Sequence, residues 1–303
     1  MRDSKPESRS RPGENFPAVF FNAIMKIGIL LQNYTRLFQK AGFESAELEA
    51  AYILSEVTGI RHTLLLLHRE RLLKPEELEK AEAFLRRRLK HEPFQYIFGK
   101  AWFRSLELDI GPGVLIPRPE TELLAEFLLR RLKPASTVCE LGAGSGALSL
   151  SLALERPDLR IWGSEKYPEA LSWAERNRNK FKTENVFFSA GDLFSPFSGM
   201  KFDAIAANLP YIPESALPAL PENVRDYEPH SALFAEDEGF AIVERAISES
   251  PDYLKYNGAL FFEIGEDQGK RAREAAEKTG VFKHISIEKD LSGADRFLIA
   301  AKE

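Results

Sequence analysis

The sequence predicts an α/β protein: a seven-strand, Rossmann-like, mostly parallel sheet ending in an antiparallel hairpin, preceded by a small all-α domain. Three observations carry this reading. Residues 26–96 hold apolar positions at helical spacing. From Thr137 to the C-terminus, seven short apolar runs alternate with helical or connecting segments. The turn after the first of those runs is glycine-rich and leads into a helix, as in doubly wound sheets.

In the helical part, "SAELEAAYILSEVTG" opens with Ser45 as a candidate cap and sets Leu48, Tyr52 and Val57 near one expected apolar face. "KPEELEKAEAFLRRRLKHE" has Pro75 at a helix start, acids in the first turn and bases in the last, as the helix dipole favours. "RRRLK" is expected to be a solvated helix end. The pattern changes at Phe98: "KAWFRSLELDIGPGVLIPRPE" alternates large apolar and polar residues around Gly111-Pro112-Gly113, which reads as strand, turn and extended segment. "ETELLAEFLLRRL" returns to an amphipathic helix.

The expected strands are "TVCELG", "LRIWGSE", "NVFFSAGD", "KFDAIAAN", "GALFFEIG", "FKHISIEK" and "DRFLIAAK". Long connections between the first five imply parallel neighbours. Only "DLSGA" joins the last two, too short for a parallel crossover, so one of them runs antiparallel. The expected boundaries are an N-terminal extension over 1–24, a helical domain over 25–97, a β-hairpin linker over 98–119, and the large α/β domain over 120–303.

Composition narrows the classes of function. A chain of 303 residues with 44% hydrophobic and 29% charged side chains has the balance of an ordinary soluble globular protein. A net charge of −5 argues against a protein devoted to gripping bare nucleic acid. No apolar run approaches the ~18 residues of a membrane span, so no membrane partner is expected. The single cysteine, Cys139, excludes a disulfide framework and a cysteine-rich metal site, and it lies in an apolar run that reads as buried. No metal is expected. The polar, Pro/Ser/Arg-rich N-terminus lacks the apolar core of a secretory signal, and Met25 is an alternative start. A reducing cytoplasm and a monomer are the expectations.

Chemistry concentrates at the strand ends. In "VCELGAGSGALSLSLA", Gly142, Gly144 and Gly146, with Ala143 and Ser145 between them, form a tight turn that a ligand can approach closely. A dinucleotide fingerprint would place glycine at 147, where the chain has Ala147. Glu140, two residues before the loop, suits a ligand with positive charge, such as the ammonium or sulfonium of S-adenosylmethionine, better than a pyrophosphate. Glu165 ends the second strand, where a carboxylate can accept hydrogen bonds from a ribose diol. Asp192 and Leu193 follow the third strand, placed to meet an adenine amino group and cover its ring. Alone, an acid here reads better as a surface or capping residue; three sites at successive strand ends reverse that and favour a bound adenosyl cofactor.

The fourth strand ends in Asn208-Leu209-Pro210-Tyr211. The Asn208 carbonyl oxygen and a backbone carbonyl can together accept both N–H bonds of one NH2 group. That arrangement orients a planar, weakly nucleophilic nitrogen for methyl transfer, with Tyr211 as an aromatic wall. The plainer alternative is an Asn that starts a proline-stiffened turn.

With these motifs in place, the chain resembles the class I S-adenosylmethionine-dependent methyltransferases, and within them the peptide chain release factor glutamine methyltransferases (the HemK/PrmC-like family). The resemblance runs from about Met25 to the end, through "FQYIFGKAWFRSLELDI", "VLIPRPETELL", "ELGAGSGALSLSLA", "NLPYIP", "VRDYEPHSALFAEDEG" and "GADRFLIA". It implies that the substrate is the glutamine amide of the Gly-Gly-Gln motif in class 1 release factors, with S-adenosylhomocysteine as second product. It also implies that residues 142–146, Glu165, Leu193 and Asn208 bind the cofactor, that Asn208 to Tyr211 hold the glutamine, and that the helical domain docks the release factor. Leu209 stands where the family has proline; that residue's main-chain carbonyl takes the amide, and Leu209 before Pro210 is biased to the extended angles that present it. The alternatives are a class I methyltransferase acting on an adenine amino group of RNA or DNA or on another protein amide, and an inactive binding module of the same fold.

Overall fold

A computed structural model describes residues 25–303; the expected extension over 1–24 lies outside the described residues. The chain divides into two compact units, Met1–Phe98 and Gly99–Glu303.

In the first unit, α1 (Ile27–Lys40), α2 (Ala46–Thr58), a 3-10 segment (His62–His68), α3 (Pro75–Arg88) and α4 (Phe94–Phe98) pack around one apolar core. α1 buries Ile27, Leu30, Tyr34 and Phe38, a single stripe at i, i+3, i+4 spacing. α2 departs from the expected face. It buries Ala46, Ala50, Ile53 and Leu54, while Leu48 and Tyr52 are exposed. Small alanines let the backbone approach α1 and α3 closely, so the stripe follows size as well as hydropathy. Ser45 occupies the N-cap position without a side-chain cap bond. α3 begins at Pro75 as expected, and the Glu77 carboxylate accepts the Lys74 backbone N–H at 2.9 Å.

The end of α3 is only in part the solvated tail that its charge suggests: Arg86 and Lys90 are exposed, but Arg87 and Arg88 are engaged. Arg87 makes a paired contact with Glu92 and donates to the Ile97 and Tyr96 carbonyls. Arg88 grips Glu49 through Nε and Nη2 at 2.5 and 2.8 Å, and its guanidinium lies over the Phe43 and Phe94 rings. Two arginines therefore tie α2, α3 and α4 together, which planar bidentate groups do well.

The second unit opens with a hairpin of β1 (Lys100–Phe103) and β2 (Leu106–Asp109). Its turn falls at Arg104-Ser105 rather than at Gly111-Pro112-Gly113. Arg104 sits at φ 51°, held there by Glu122 accepting its N–H and by Glu126 and Glu155 on its guanidinium. The hairpin belongs to this unit: the buried Asn177 side chain accepts the Asp109 N–H and donates to the Asp109 and Ser145 carbonyls.

Then follow α5 (Pro119–Arg131), β3 (Thr137–Leu141), α6 (Ala147–Glu155), β4 (Arg160–Glu165), α7 (Pro168–Phe181), β5 (Val186–Ala190) and β6 (Phe202–Asn208). After β7 (Ile212–Pro213), α8 (Glu222–Arg225), β8 (Phe234–Ala235) and the kinked turn α9 (Glu236–Gly239) come α10 (Ala241–Glu249), β9 (Leu254–Glu263), α11 (Gly269–Lys278), β10 (Phe282–Lys289) and β11 (Asp295–Lys302). The main sheet has the order β10-β11-β9-β6-β3-β4-β5. β11 is antiparallel to both of its neighbours; the other main-sheet pairs are parallel. All seven expected strands form, and of the two joined by the short connection β11 is the reversed one.

Register places the chemistry. Glu140 pairs with Gly163 on one side and Ala206 on the other, and Asn208 pairs with Glu263. Because side chains alternate with period two, Glu140, Glu165, Asn208 and Glu263 all project from the same face of the sheet. The opposite face, with Cys139, Leu141, Ile205, Ala207, Leu260 and Phe262, packs into an apolar core with α10 and α11. Burial pushes the Cys139 thiol well above its usual range, so it is an inert core residue. Among the described residues, no helix is long and apolar enough to cross a membrane.

Candidate active site

A cleft of about 1010 Å³, its open mouth included, lies at the carboxyl ends of β3, β4, β5 and β6. This is where a doubly wound sheet binds ligands. Of the residues expected there, Glu140, Gly142, Ala143, Gly144, Ser145, Glu165, Asp192, Leu193, Asn208, Leu209 and Pro210 line it. Gly146 and Tyr211 do not. Gly146 starts α6 at φ 79°, and a Cβ there would meet Phe188 Cζ at 2.9 Å and Leu150 Cδ1 at 3.1 Å. Its glycine serves helix-to-strand packing rather than ligand contact. Gly144, by contrast, has only Val114 Cγ2 at 3.9 Å in the direction a Cβ would take, so its backbone faces open cleft.

Two acids shape the loop from beneath. Glu140 is buried at the end of β3 and accepts both the N–H and the hydroxyl of Ser149, the third residue of α6. Burial lifts its carboxyl to about 8, and the neighbouring Glu165 adds to the rise against those hydrogen bonds. Glu165 is also buried, with Oε2 accepting the Gly144 N–H and Oε1 the Tyr167 N–H, each at 2.9 Å. Asp192 follows β5 and pairs with Arg245 at 2.7 Å. Leu193 takes a left-handed backbone at φ 49°, rare for a leucine, while its side chain is buried in the core. That strain holds the strand end in a sharp turn beside the cleft.

The Asn-Leu-Pro-Tyr turn is held by residues that sequence reasoning did not single out. Asn208 Nδ2 donates to Thr121 Oγ1 at 2.9 Å, and the Thr121 hydroxyl donates to Glu263 Oε2 at 2.7 Å. Tyr211 points away from the cleft: its hydroxyl donates to Glu263 Oε1 at 3.2 Å. The expected aromatic wall is therefore a strut, because the buried carboxylate of Glu263 captures the phenol. Gln268 donates to the Tyr211 carbonyl at 3.0 Å, and Gly239 at φ 80° passes so close that a Cβ would overlap that same oxygen. Leu209 is buried against the glycine loop, with its Cδ2 3.2 Å from where a Gly142 Cβ would stand.

The two sequence blocks singled out beyond the glycine loop meet here. Glu228 of "DYEP" is fully buried, accepts the Ile116 N–H at 3.1 Å and pairs with Arg118 of "IPRPE" at 2.7 Å. Arg118, Thr121 and Pro229 also line the cleft. The site thus draws on four strand ends, the first turn of α5 and the loop before β8. Thr121 and Glu263 carried no signal beyond lying in or near the quoted motifs, since their partners are 87 and 142 residues apart in sequence.

Residues 30–99 match the PrmC N-terminal domain, and residues 132–278 match a methyltransferase domain. A release factor glutamine methyltransferase of Geobacter sulfurreducens is 36% identical over 255 residues, covering 84% of this chain and 89% of its own. The chain belongs to the release factor glutamine methyltransferase family. An Escherichia coli K12 member is 38% identical over 233 residues, covering 77% of this chain and 84% of its own. A methyltransferase structure from Pyrococcus furiosus, 19% identical, superposes with a TM-score of 0.50 over 66% of this chain and 90% of its own, which shows the shared fold. As a member of this family the protein is a methyltransferase, and its Asn208 stands at the strand end where the cleft and the turn meet.

Proposed function

We propose that the protein transfers a methyl group from S-adenosylmethionine to the side-chain amide nitrogen of the glutamine in the Gly-Gly-Gln motif of class 1 peptide chain release factors, thereby modulating translation termination. The observation that carries this reading is the hydrogen-bond direction at Asn208. Its NH2 group is engaged by Thr121, which leaves the carbonyl oxygen as the end free to accept from a substrate NH2.

The residues present fit the cofactor. A buried carboxylate at Glu140, another at Glu165 and the open backbone at Gly144 offer a partner for a cation, an acceptor for a diol and a close-approach surface. S-adenosylmethionine supplies, when bound, a methyl group activated by a sulfonium. The chain's own residues orient the acceptor. The Asn208 carbonyl oxygen and the Leu209 main-chain carbonyl hold the two N–H bonds of the substrate amide, which favours the more pyramidal nitrogen of the transition state. Asp192 and Leu193 are assigned to the adenine, and Pro210 to one side of the amide pocket. Leu209 retains the carbonyl that the resemblance requires, and its side chain adds packing under the glycine loop.

The helical unit is proposed to dock the release factor; exposed Leu66 and Leu67 on its 3-10 segment supply apolar surface for a protein partner. A cytoplasmic monomer that needs no direct nucleic-acid contact completes the reading. The test is incubation with labelled S-adenosylmethionine and purified release factor, with and without its Gly-Gly-Gln glutamine changed to alanine. Label confined to the intact motif is expected; label that persists after the change sinks the proposed target.

A further inference from the structure

The buried Glu263 touches neither the cleft nor any surface, yet Tyr211 of the Asn-Leu-Pro-Tyr turn donates to it directly and Asn208 reaches it through Thr121. It ends β9 directly beside Asn208 in the parallel register, and Thr121 in the first turn of α5 bridges the two side chains. An asparagine amide is nearly symmetric in shape, so packing does not decide which end faces a ligand. Hydrogen-bond direction does.

We propose that Thr121 and Glu263 are positioning residues that set the direction of the Asn208 amide: the Glu263 carboxylate accepts the hydrogen bond of the Thr121 hydroxyl, the Thr121 oxygen is left to accept from Asn208 Nδ2, and the Asn208 carbonyl oxygen is thereby turned to the substrate. This rests on the functional reading above, because only an acceptor at that point suits an incoming NH2 group. Turned over, Asn208 would present its own NH2 group to the substrate's, donor against donor. An ionised carboxylate has no proton to give, so the chain Asn208 to Thr121 to Glu263 runs in one direction only. Tyr211, donating to the second oxygen, reinforces that polarity.

Protonation removes the one-way rule. A neutral Glu263 can donate to Thr121, whose proton is then free for the Asn208 oxygen, and the turned-over amide becomes comfortable. The groups facing Glu263 are Tyr211 on the turn, Glu120 and Thr121 on α5, and Arg296 on β11; burial raises its carboxyl to about 7 against the pull of Thr121, Tyr211 and Arg296. The relay therefore weakens as pH falls through about 7.

The threonine variants test it while leaving the buried carboxyl group itself in place. At saturating cofactor and release factor, Thr121→Val should lower kcat about tenfold, the loss of roughly one hydrogen bond, with cofactor affinity unchanged within about twofold. Thr121→Ser, which keeps the hydroxyl and loses only the methyl, should restore kcat to within about threefold of wild type. The acid limb of the wild-type kcat profile near pH 7 should be absent in Thr121→Val. In 15N NMR the Asn208 side-chain NH2 signals should be protected from exchange in wild type and Thr121→Ser, and exposed in Thr121→Val.

Wild-type kcat in Thr121→Val, a Thr121→Ser as impaired as Thr121→Val, or unchanged Asn208 protection in Thr121→Val would each overturn the relay. A wild-type protein that leaves release-factor glutamine unlabelled, yet shows the expected protection pattern, overturns the functional reading and upholds the relay.

Discussion

With Glu140 as the proposed partner of the cofactor's positive charge, its ionisation should set the pH range in which the cleft accepts a cation. Burial, joined by Glu165, lifts its carboxyl to about 8, while the Ser149 N–H and hydroxyl pull the other way. A cation beside it favours the carboxylate, so below that pH a proton must leave as the cofactor binds. At pH 6 roughly one Glu140 in a hundred is ionised, which weakens binding about a hundredfold, or about 2.7 kcal/mol. The apparent Kd for S-adenosylmethionine should therefore fall about tenfold per pH unit between about 5.5 and 7.5. Titration calorimetry across that range, run in two buffers of different ionisation enthalpy, reads both the affinity and the released proton. Glu140→Gln removes the titration and should flatten the dependence. A pH-independent wild-type Kd, or a slope that survives in Glu140→Gln, refutes the reasoning.

The same two buried acids govern stability. Glu140 and Glu263 are raised in the folded state to about 8 and about 7, so their contribution is intact below the ordinary carboxylate range and is lost as pH rises through those values. The melting temperature of the ligand-free protein should decline between about pH 5 and pH 8, and Glu140→Gln should reduce that decline. Asn208→Ala should lower kcat by about a hundredfold or more while cofactor binding stays measurable; turnover near wild type would remove Asn208 from its assigned role. Leu209→Pro keeps the main-chain carbonyl but gives up buried packing against Gly142, so kcat should hold within severalfold while stability drops by about 1–2 kcal/mol, read by denaturant unfolding. Gly239→Ala forces a Cβ into the Tyr211 carbonyl at a positive φ. It should cost about 2 kcal/mol or more and lower the melting temperature by several degrees.

Much of the site was legible because local sequence signals coincided with strand ends. Glu140, Glu165 and Asn208 each close an apolar run, and the glycines mark the turn that follows the first. What escaped reading had partners far away in the chain. Tyr211 looked like a wall for the substrate because nothing local announces that Glu263 captures its hydroxyl. Arg87 and Arg88 looked solvated because helix-end charges usually are; Glu92 and Glu49 make them struts between helices. Leu48 and Tyr52 looked like a core stripe on hydropathy, yet α2 buries Ala46, Ala50, Ile53 and Leu54 instead.

By itself the sequence determined the kinds of element, their order and that one of the last two strands is reversed. Period-two and period-3.6 patterning, glycine conformations and a connection too short to cross over are all local constraints. Only the tertiary structure decided which strand ends share a face and which side chains meet across it. Register between β6 and β9 sets Glu263 beside Asn208, and the packing of α5 slots Thr121 between them. The direction of one amide, on which the proposed chemistry turns, is a property of that assembly because hydrogen-bond polarity is settled by neighbours and not by the residue that bears it.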